Sequence, residues 1–244
     1  MRRPSRFAFL IIFLLLPSLA AAAGLRGLIR KIEQQYMGLS SKTVMTMQVR
    51  AEHWERSLTM ESWSLGREHF LVRILAPAKE AGVATLKVER NVWNYLPKVD
   101  RVIKVPPSMM GGAWMGSHIT NDDLVKANHI DEDYTFELLE ETPEQYRIAC
   151  LPKPDAAVIW GKVVYEIIRP QEVPGRVTYF DEKMVPVREI VFDEVTRVAG
   201  RVIPLRMTVQ PLDKPNEQTV IHYDAIDFDI SIKAAFFSLR NLKN

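Results

Sequence analysis

The chain alternates in polarity from residue 43 onward, where it reads Thr43-Val44-Met45-Thr46-Met47-Gln48-Val49-Arg50. Successive side chains of an extended chain point to opposite faces, so Met45 and Met47 share one face while Thr46 and Gln48 share the other. A period of two over this length predicts a β-strand with one buried face.

The same alternation recurs along most of the remaining chain, with glycine or proline between many of the segments. The predicted strands cover residues 59–65, 70–75, 83–89, 92–96, 101–105, 134–139, 146–151, 162–168, 177–180, 187–192, 202–209, 218–224 and 225–230. Their connections are too short for crossover helices, which argues against a parallel sheet. Because a sheet must close or cover its edges, we expect a mainly β (α+β) fold with a strongly curved antiparallel sheet that forms an incomplete barrel.

Helical periodicity is confined to short parts of the chain. Residues 24–39 carry Leu25, Leu28 and Ile32 at three- and four-residue spacings, which predicts one amphipathic helix. Shorter helical pieces are expected around residues 121–127 and near the C-terminus. The N-terminal helix and the loop before residue 121 are the available covers for the open side of the sheet.

The first 23 residues have the pattern of a secretory signal peptide. Arginines at positions 2, 3 and 6 precede an apolar run at residues 7–16, and small residues then predict cleavage between Ala23 and Gly24. We expect a periplasmic protein whose mature part, residues 24–244, is a single domain. The only cysteine is Cys150, so no cysteine follows the cleavage site to carry a lipid anchor, and we expect no membrane anchoring.

Charge and cysteine content exclude some classes of function. The chain has 32 Lys and Arg and 30 Asp and Glu, and removal of the three leader arginines leaves 32 − 3 = 29 basic residues. Such a balance argues against a nucleic acid partner. Cys150 alternates with Tyr146 and Ile148, which is typical of a small buried side chain and predicts no chemical role.

Residue types that perform catalysis or bind metals are scattered. The best metal hypothesis combines His118, Asp122, Asp123 and His129, but a helix cap with two solvated carboxylates explains the same residues more simply. We therefore predict no metal and no cofactor. Ser117 lacks the glycine pattern of a nucleophile elbow, so we predict no catalytic residue and no enzymatic activity.

One long segment, residues 105–121, contains no Asp, Glu, Lys or Arg. Its methionines and tryptophan lie among glycines, a combination that gives an apolar surface able to change shape. The segment is interpreted as a lid over a hydrophobic cavity, and the alternative is a fixed plug in the open end of the sheet. A lipid would fill such a cavity, and the residues predicted to contact it are Met47, Met60, Trp63, Trp93, Met109, Met110, Trp114 and Met115.

Several short motifs resemble the outer-membrane lipoprotein-sorting proteins related to the LolA-like periplasmic carriers. They are the run at residues 92–104, Met115-Gly116-Ser117, Asn121-Asp122-Asp123-Leu124, Trp160-Gly161-Lys162, Gly200-Arg201-Val202-Ile203-Pro204, Thr219 with His222-Tyr223, and the run at residues 237–242. Their order and spacing cover nearly the whole mature chain. The resemblance implies a half-open antiparallel barrel with a helical lid, which encloses a hydrophobic cavity for acyl chains.

The resemblance also implies a non-enzymatic function: a periplasmic carrier that shuttles the acyl chains of a lipoprotein or lipid between the inner and outer membranes. Its partners would be an inner-membrane transporter and an outer-membrane acceptor. A lipid-sensing module that signals to a membrane partner is the alternative. An envelope hydrolase would require Ser117, His118 and an acidic residue to lie within mutual hydrogen-bond distance.

Overall fold

All thirteen strands found among the described residues belong to one antiparallel sheet. The computed structural model describes residues 16–35, 37–126 and 129–244. The strands are β1 (Ser40–Ala51), β2 (Trp54–Leu65), β3 (His69–Ala76), β4 (Ala84–Val88), β5 (Asn91–Leu96), β6 (Arg101–Lys104), β7 (Tyr134–Glu141), β8 (Gln145–Pro152), β9 (Lys162–Ile168), β10 (Val173–Phe180), β11 (Pro186–Val198), β12 (Arg201–Pro211) and β13 (Gln218–Phe228).

The first and last strands, β1 and β13, are neighbours in the middle of the sheet. The strand order is β6-β5-β4-β3-β2-β1-β13-β12-β11-β10-β9-β8-β7, so β1 pairs with both β2 and β13. The segment at 105–133 connects one edge strand, β6, to the other edge strand, β7. The sheet is not closed, and the predicted incomplete antiparallel barrel is confirmed.

The strand predictions are confirmed except at the last strand, where two predicted segments form the single β13. The register of β1 and β13 shifts where Val44 pairs with Ala225 and Met45 pairs with Tyr223, so Asp224 is the extra residue. A bulge of this kind changes which face the following side chains occupy. The bulge interrupts the alternation at residue 224, which is why the sequence predicted two strands, 218–224 and 225–230, instead of one.

Four α-helices occur in the described residues: α1 (Leu16–Gln35), α2 (Asn121–Lys126), α3 (Ile130–Asp133) and α4 (Leu239–Leu242). The short predicted pieces correspond to α2 and α4. The predicted helix at 24–39 ends earlier, at Gln35, and begins earlier, at Leu16, upstream of the predicted cleavage site. Residues 1–15 of the predicted signal peptide, and Tyr36 of the predicted helix, lie outside the described residues. In the described ranges no helix combines the length and the apolar character needed to cross a membrane.

Three apolar clusters fix the layers of the fold. Met45, Met47, Leu58 and Met60 form one cluster with Trp114 on the face of the sheet that we call the inner face. The second cluster packs Ile29 and Ile32 of α1 against β8, β9 and β10 on the same face. The third lies on the outer face, where the C-terminal segment covers β3, β4 and β5 through Phe237 and Leu242. Helix α1 and the loop at residues 105–121 thus cover the inner face. The C-terminal segment covers part of the outer face.

Candidate functional site

A cavity of about 290 Å³ lies between the inner face, α1 and the loop that ends in α2. Lys87 of β4 and Tyr165 of β9 both line it, although eight strand spacings separate these strands in the sheet order. In a flat sheet that separation would be about 38 Å, since neighbouring strands are about 4.8 Å apart. The sheet must therefore be strongly curved to bring both side chains to one cavity.

Most of the cavity wall is apolar. The apolar and aromatic side chains that line it include Ile32, Met45, Phe70, Trp114, Ile119, Leu124, Val177, Ile190, Phe192, Met207, Val209, Ile221 and Tyr223. Several of them, including Met45, Val209 and Ile221, are buried by the surrounding strands. A concave apolar wall with a few polar groups is the usual character of a small-molecule binding site.

The polarity of the inner face changes in steps along β1 and β2. Ser41 pairs with Ser64 at one end, and their hydroxyl oxygens are 2.7 Å apart. One step further, the hydroxyls of Thr43 and Ser62 are also 2.7 Å apart. The next pairs along the same face are Met45 with Met60 and Met47 with Leu58. The inner face is thus polar at the end near Ser41 and apolar toward the loop.

A buried ion pair connects α2, on the loop side of the cavity, to β11 of the sheet. The guanidinium of Arg188 on β11 donates to both carboxylate oxygens of Asp123 on α2, at 2.7 and 2.9 Å. The guanidinium also lies over the rings of Trp160 and Tyr179. Burial opposes ionisation of Asp123, but the hydrogen bonds and charge of Arg188 outweigh it and hold the pKa of this carboxyl below its ordinary value.

Asp123 also forms the start of α2. Its carboxylate accepts hydrogen bonds from the backbone N–H and the hydroxyl of Thr120, at 2.8 Å each, and the Thr120 hydroxyl accepts one from the Asp123 N–H. This reciprocal arrangement is a capping box. The predicted helix cap is present and is formed by Thr120, but Asp123 is buried by Arg188 and is not a solvated carboxylate.

Glu33 of α1 is a second buried carboxyl group at the cavity. Tyr165 donates to its Oε1 at 3.4 Å, whereas its Oε2 has no hydrogen-bond partner among the described residues. Burial, assisted by the negative charge of Asp131, raises the pKa of Glu33 well above its ordinary value, although the positive charge of Arg67 opposes the change. A buried carboxyl with an unpaired oxygen reduces stability whenever it is ionised.

We expect the Glu33→Gln variant to be more stable than the wild type at pH 8, by about 1–3 kcal/mol. A raised pKa means that the native state keeps a proton which the unfolded chain loses, so wild-type stability falls as pH rises above the ordinary carboxyl pKa. The advantage of the variant should disappear near pH 4. Urea unfolding at both pH values measures the difference, and a pH-independent difference would contradict the assignment.

Hydrogen bonds hold the loop closed over the inner face. The indole N–H of Trp114 donates to Thr85 Oγ1 at 3.1 Å, and Arg56 donates to the Met115 carbonyl at 2.9 Å. The His118 ring is hydrogen-bonded to Thr219 at 2.9 Å and to Glu217 at 3.0 Å. In this arrangement the loop is a packed part of the wall.

The structure brings together some of the predicted contact residues and separates others. Trp114 lines the cavity and packs with Met47, Met60 and Met115 in one cluster. Met109 is exposed and Met110 is partly exposed. Trp63 and Trp93 pack in the outer-face cluster, where Trp63 contacts Phe236. Met60 and Trp63 are three residues apart in one strand, so the alternation alone indicates opposite faces.

Sequence reasoning missed the polar residues that line the cavity. They are Glu33, Ser41, Thr43, Ser62, Ser64, Arg67, His69, Lys87 and Arg188, whereas Asp123, which also lines the cavity, was considered only as a metal ligand or a helix-cap carboxylate. Ser62 and Ser64 share the phase of Met60, so the alternation of β2 contained a signal for them. No local signal was available for Glu33 or Arg188, because their burial results from contacts with residues far away in the chain.

The side chains of the metal and hydrolase hypotheses contact different partners. His129 lies near Glu68 and Glu132, while His118 and Asp123 have the partners given above. No group of three or more His, Cys, Asp or Glu side chains in the described ranges is arranged to hold a metal ion. Ser117 donates to the Trp114 carbonyl at 2.7 Å. The Cys150 thiol is buried, and burial raises its pKa.

A family model described as "uncharacterized protein" matches residues 66–244, which is most of the chain. No curated protein matches.

Three similar solved structures cover nearly all of this chain. A domain described as an outer membrane lipoprotein-sorting protein, from Vibrio parahaemolyticus, is 18% identical with a TM-score of 0.77 over 90% of this chain and 98% of that chain. A DUF1329 family protein from Desulfovibrio piger is 18% identical with a TM-score of 0.81 over 91% and 98%. A LolA superfamily protein from Nitrosomonas europaea is 19% identical with a TM-score of 0.73 over 88% and 98%. The chain therefore belongs to the family that the matching model describes, and it has the fold of the lipoprotein-sorting and LolA superfamily proteins that its motifs resemble.

Proposed function

We propose that this protein is a non-enzymatic periplasmic carrier that binds acyl chains of a lipoprotein or lipid in its cavity and shuttles them between the inner and outer membranes. The observation that carries the proposal is the largely apolar cavity that lies between the inner face, α1 and the loop. The N-terminal pattern of residues 1–23 supports export to the periplasm. The fold shared with a lipoprotein-sorting domain and a LolA superfamily protein supports the cargo class.

The physical need for such a cavity follows from the cost of exposing hydrocarbon to water. Each methylene group that becomes buried contributes about 0.8 kcal/mol, so a free acyl chain does not cross an aqueous compartment at a useful rate. The cavity, at about 290 Å³, is near the lower end of typical ligand pockets. It therefore fits part of one chain in its present shape, and binding of more hydrocarbon requires the covers to move.

The covers themselves suggest how cargo is exchanged. Ile29 and Ile32 of α1 occupy the inner face of β8 to β10 in the way that acyl methylenes would, and Trp114 does the same over β1 and β2. Cargo that displaces these side chains replaces one set of apolar contacts with another. The net free energy is then small, which permits release at an acceptor.

A direct test is to purify the protein from periplasmic extract and to analyse bound lipid by mass spectrometry. We expect acyl-containing molecules in stoichiometric amounts after gentle purification, and their loss after extraction with detergent. A protein that carries no lipid, and that also fails to bind a fluorescent fatty acid after delipidation, would contradict the carrier proposal.

We expect Leu124→Trp to weaken binding of a fluorescent fatty acid by about tenfold or more, because the larger ring fills space that the acyl chain needs. Leu124 lies on α2 and lines the cavity, whereas Leu139 on β7 is 46% exposed and distant from it in the sheet order. Leu139→Trp is therefore the matched control and should bind as the wild type does. Equal affinities of the two variants would place the binding site elsewhere.

A further inference from the structure

One end of the cavity is lined by polar side chains. A hydrocarbon chain forms no hydrogen bonds, so it does not explain why these polar groups are there. Lys87 is 1% exposed and Glu33 is 8% exposed, and both line the cavity. Burial of such groups costs free energy unless they gain partners. We propose, building on the carrier function above, that this end binds the anionic headgroup of a single-chain amphiphile, a carboxylate or a phosphate, with Lys87 as its main electrostatic partner.

The register of the strands places Lys87 in the same row of the inner face as one buried hydroxyl pair, with Phe70 between them. Lys87 of β4 pairs with Phe70 of β3, Phe70 pairs with Ser64 of β2, and Ser64 pairs with Ser41 of β1. These residues form one row across the inner face. The next row contains Thr43 and Ser62, and the row after it contains Met45 and Met60. A ligand lying along the strands would pass from polar to apolar surroundings within about 13 Å, at roughly 3.3 Å per residue.

The donors in the polar rows are not fully used within the protein. In each hydroxyl pair, Ser41 with Ser64 and Thr43 with Ser62, one hydroxyl donates to the other. The hydrogen of the accepting hydroxyl is then available to another acceptor. The Lys87 ammonium has three donors, and its hydrogen bond within the described residues goes to the Arg67 carbonyl. The polar end therefore offers donors, which favours a ligand that accepts hydrogen bonds.

The charges around the cavity favour an anion at Lys87. Arg188 is neutralised by Asp123, and Arg67 pairs with Asp131 and Glu132 of α3. Lys87 forms no ion pair with a carboxylate of the described residues, and burial lowers its pKa from the ordinary value, although the negative charge of Glu68 opposes this change. An anionic headgroup would supply the missing charge. Glu33 does not oppose this, because its raised pKa favours the neutral carboxyl, which is itself a donor.

The size of the cavity favours a ligand with one chain, because each additional chain would require a larger movement of α1 and the loop. At about 290 Å³ it is smaller than most pockets that hold drug-sized ligands, which occupy roughly 300–1,000 Å³. A single chain with a small anionic head would place its head near Lys87 and its tail toward Met45 and Trp114. The hydrocarbon then lies where the wall is apolar, and the head lies where the donors are.

The test compares three probes of equal chain length on the delipidated full chain by titration calorimetry: palmitate, palmitoyl lysophosphatidate and hexadecanol. We expect the wild type to bind at least one anionic probe about tenfold more tightly than hexadecanol, which is the effect of one charge-assisted hydrogen bond. The preferred anion identifies the headgroup as carboxylate or phosphate. Lys87→Met should abolish the preference without weakening hexadecanol binding, and Lys87→Arg should retain it.

Lys104→Met is the matched control, because Lys104 lies on β6 over the Trp93 ring and does not line the cavity. Equal binding of all three probes by the wild type would overturn the headgroup assignment and leave the carrier proposal intact. A preference that persists in Lys87→Met would overturn the role of Lys87. Failure of every probe to bind would contradict the carrier proposal itself. The wild-type comparison decides the headgroup question even if a Lys87 variant does not fold.

Discussion

Replacement of Asp123 with alanine is expected to lower the free energy of unfolding by about 3–5 kcal/mol, because it leaves the buried guanidinium of Arg188 without its counterion. The substitution also removes the carboxylate that accepts from Thr120 at the start of α2. Urea unfolding at pH 7 measures the loss. The Asp123 pKa is lowered in the native state, so its contribution is present above the ordinary carboxyl pKa and is lost as pH falls through the lowered one. Wild type and variant should therefore converge in acid.

The neighbouring Asp122→Ala is the control, since Asp122 forms an ion pair with Lys126 one helical turn away, at 3.2 Å. A pair of this kind contributes only about 0.3–0.5 kcal/mol. The double variant Asp123→Leu with Arg188→Met should recover much of the stability, because it removes both charges and keeps the apolar volume. A double variant as unstable as Asp123→Ala would show that the loss comes from packing or from the hydrogen bonds to Thr120, and not from the unpaired charge.

Replacement of Trp114 with alanine is expected to cost about 3–5 kcal/mol, the range for truncation of a large aromatic side chain in a core. Trp114 is 3% exposed, packs with the methionines of β1 and β2, and donates its indole N–H to Thr85. In the closed arrangement Trp114 therefore belongs to the core.

Met109→Ala, in the same loop, provides the comparison, because Met109 is 62% exposed. Its effect should stay within about 0.5 kcal/mol. Thermal or urea unfolding of the two variants measures the difference directly. Similar small effects for both would mean that the loop leaves the inner face in solution, and Trp114 would then act as a lid.

The sequence predicted the strands well, because a half-buried strand imposes a period of two on its own residues. Met45, Met47 and Met60 are buried on one face, as their alternation indicates. The same rule explains the one boundary error, since the bulge at Asp224 interrupts the alternation inside β13. The antiparallel arrangement followed from the short connections, which exclude crossover helices.

The candidate site was harder to predict, because the faces of a strand do not reveal what covers them. Trp63 and Trp93 are as large and apolar as Trp114, yet they pack beneath the C-terminal segment on the outer face. Which segment covers each face depends on the path that the connecting loop and the C-terminal segment take in the folded protein. Loop composition drew attention to Trp114, which lines the cavity, but it could not distinguish a packed wall from a movable one.

By itself, the sequence determined the local periodicities, and through them a mainly antiparallel β fold with an apolar inner face. Only the tertiary structure decided which charged groups share the cavity. Glu33 meets Tyr165, which is 132 positions away, and Asp123 meets Arg188, which is 65 positions away. Periodicity records which side of an element is buried, whereas such pairs arise only when the curved sheet folds around α1 and α2. The burial of these charges is therefore a property of the assembled fold.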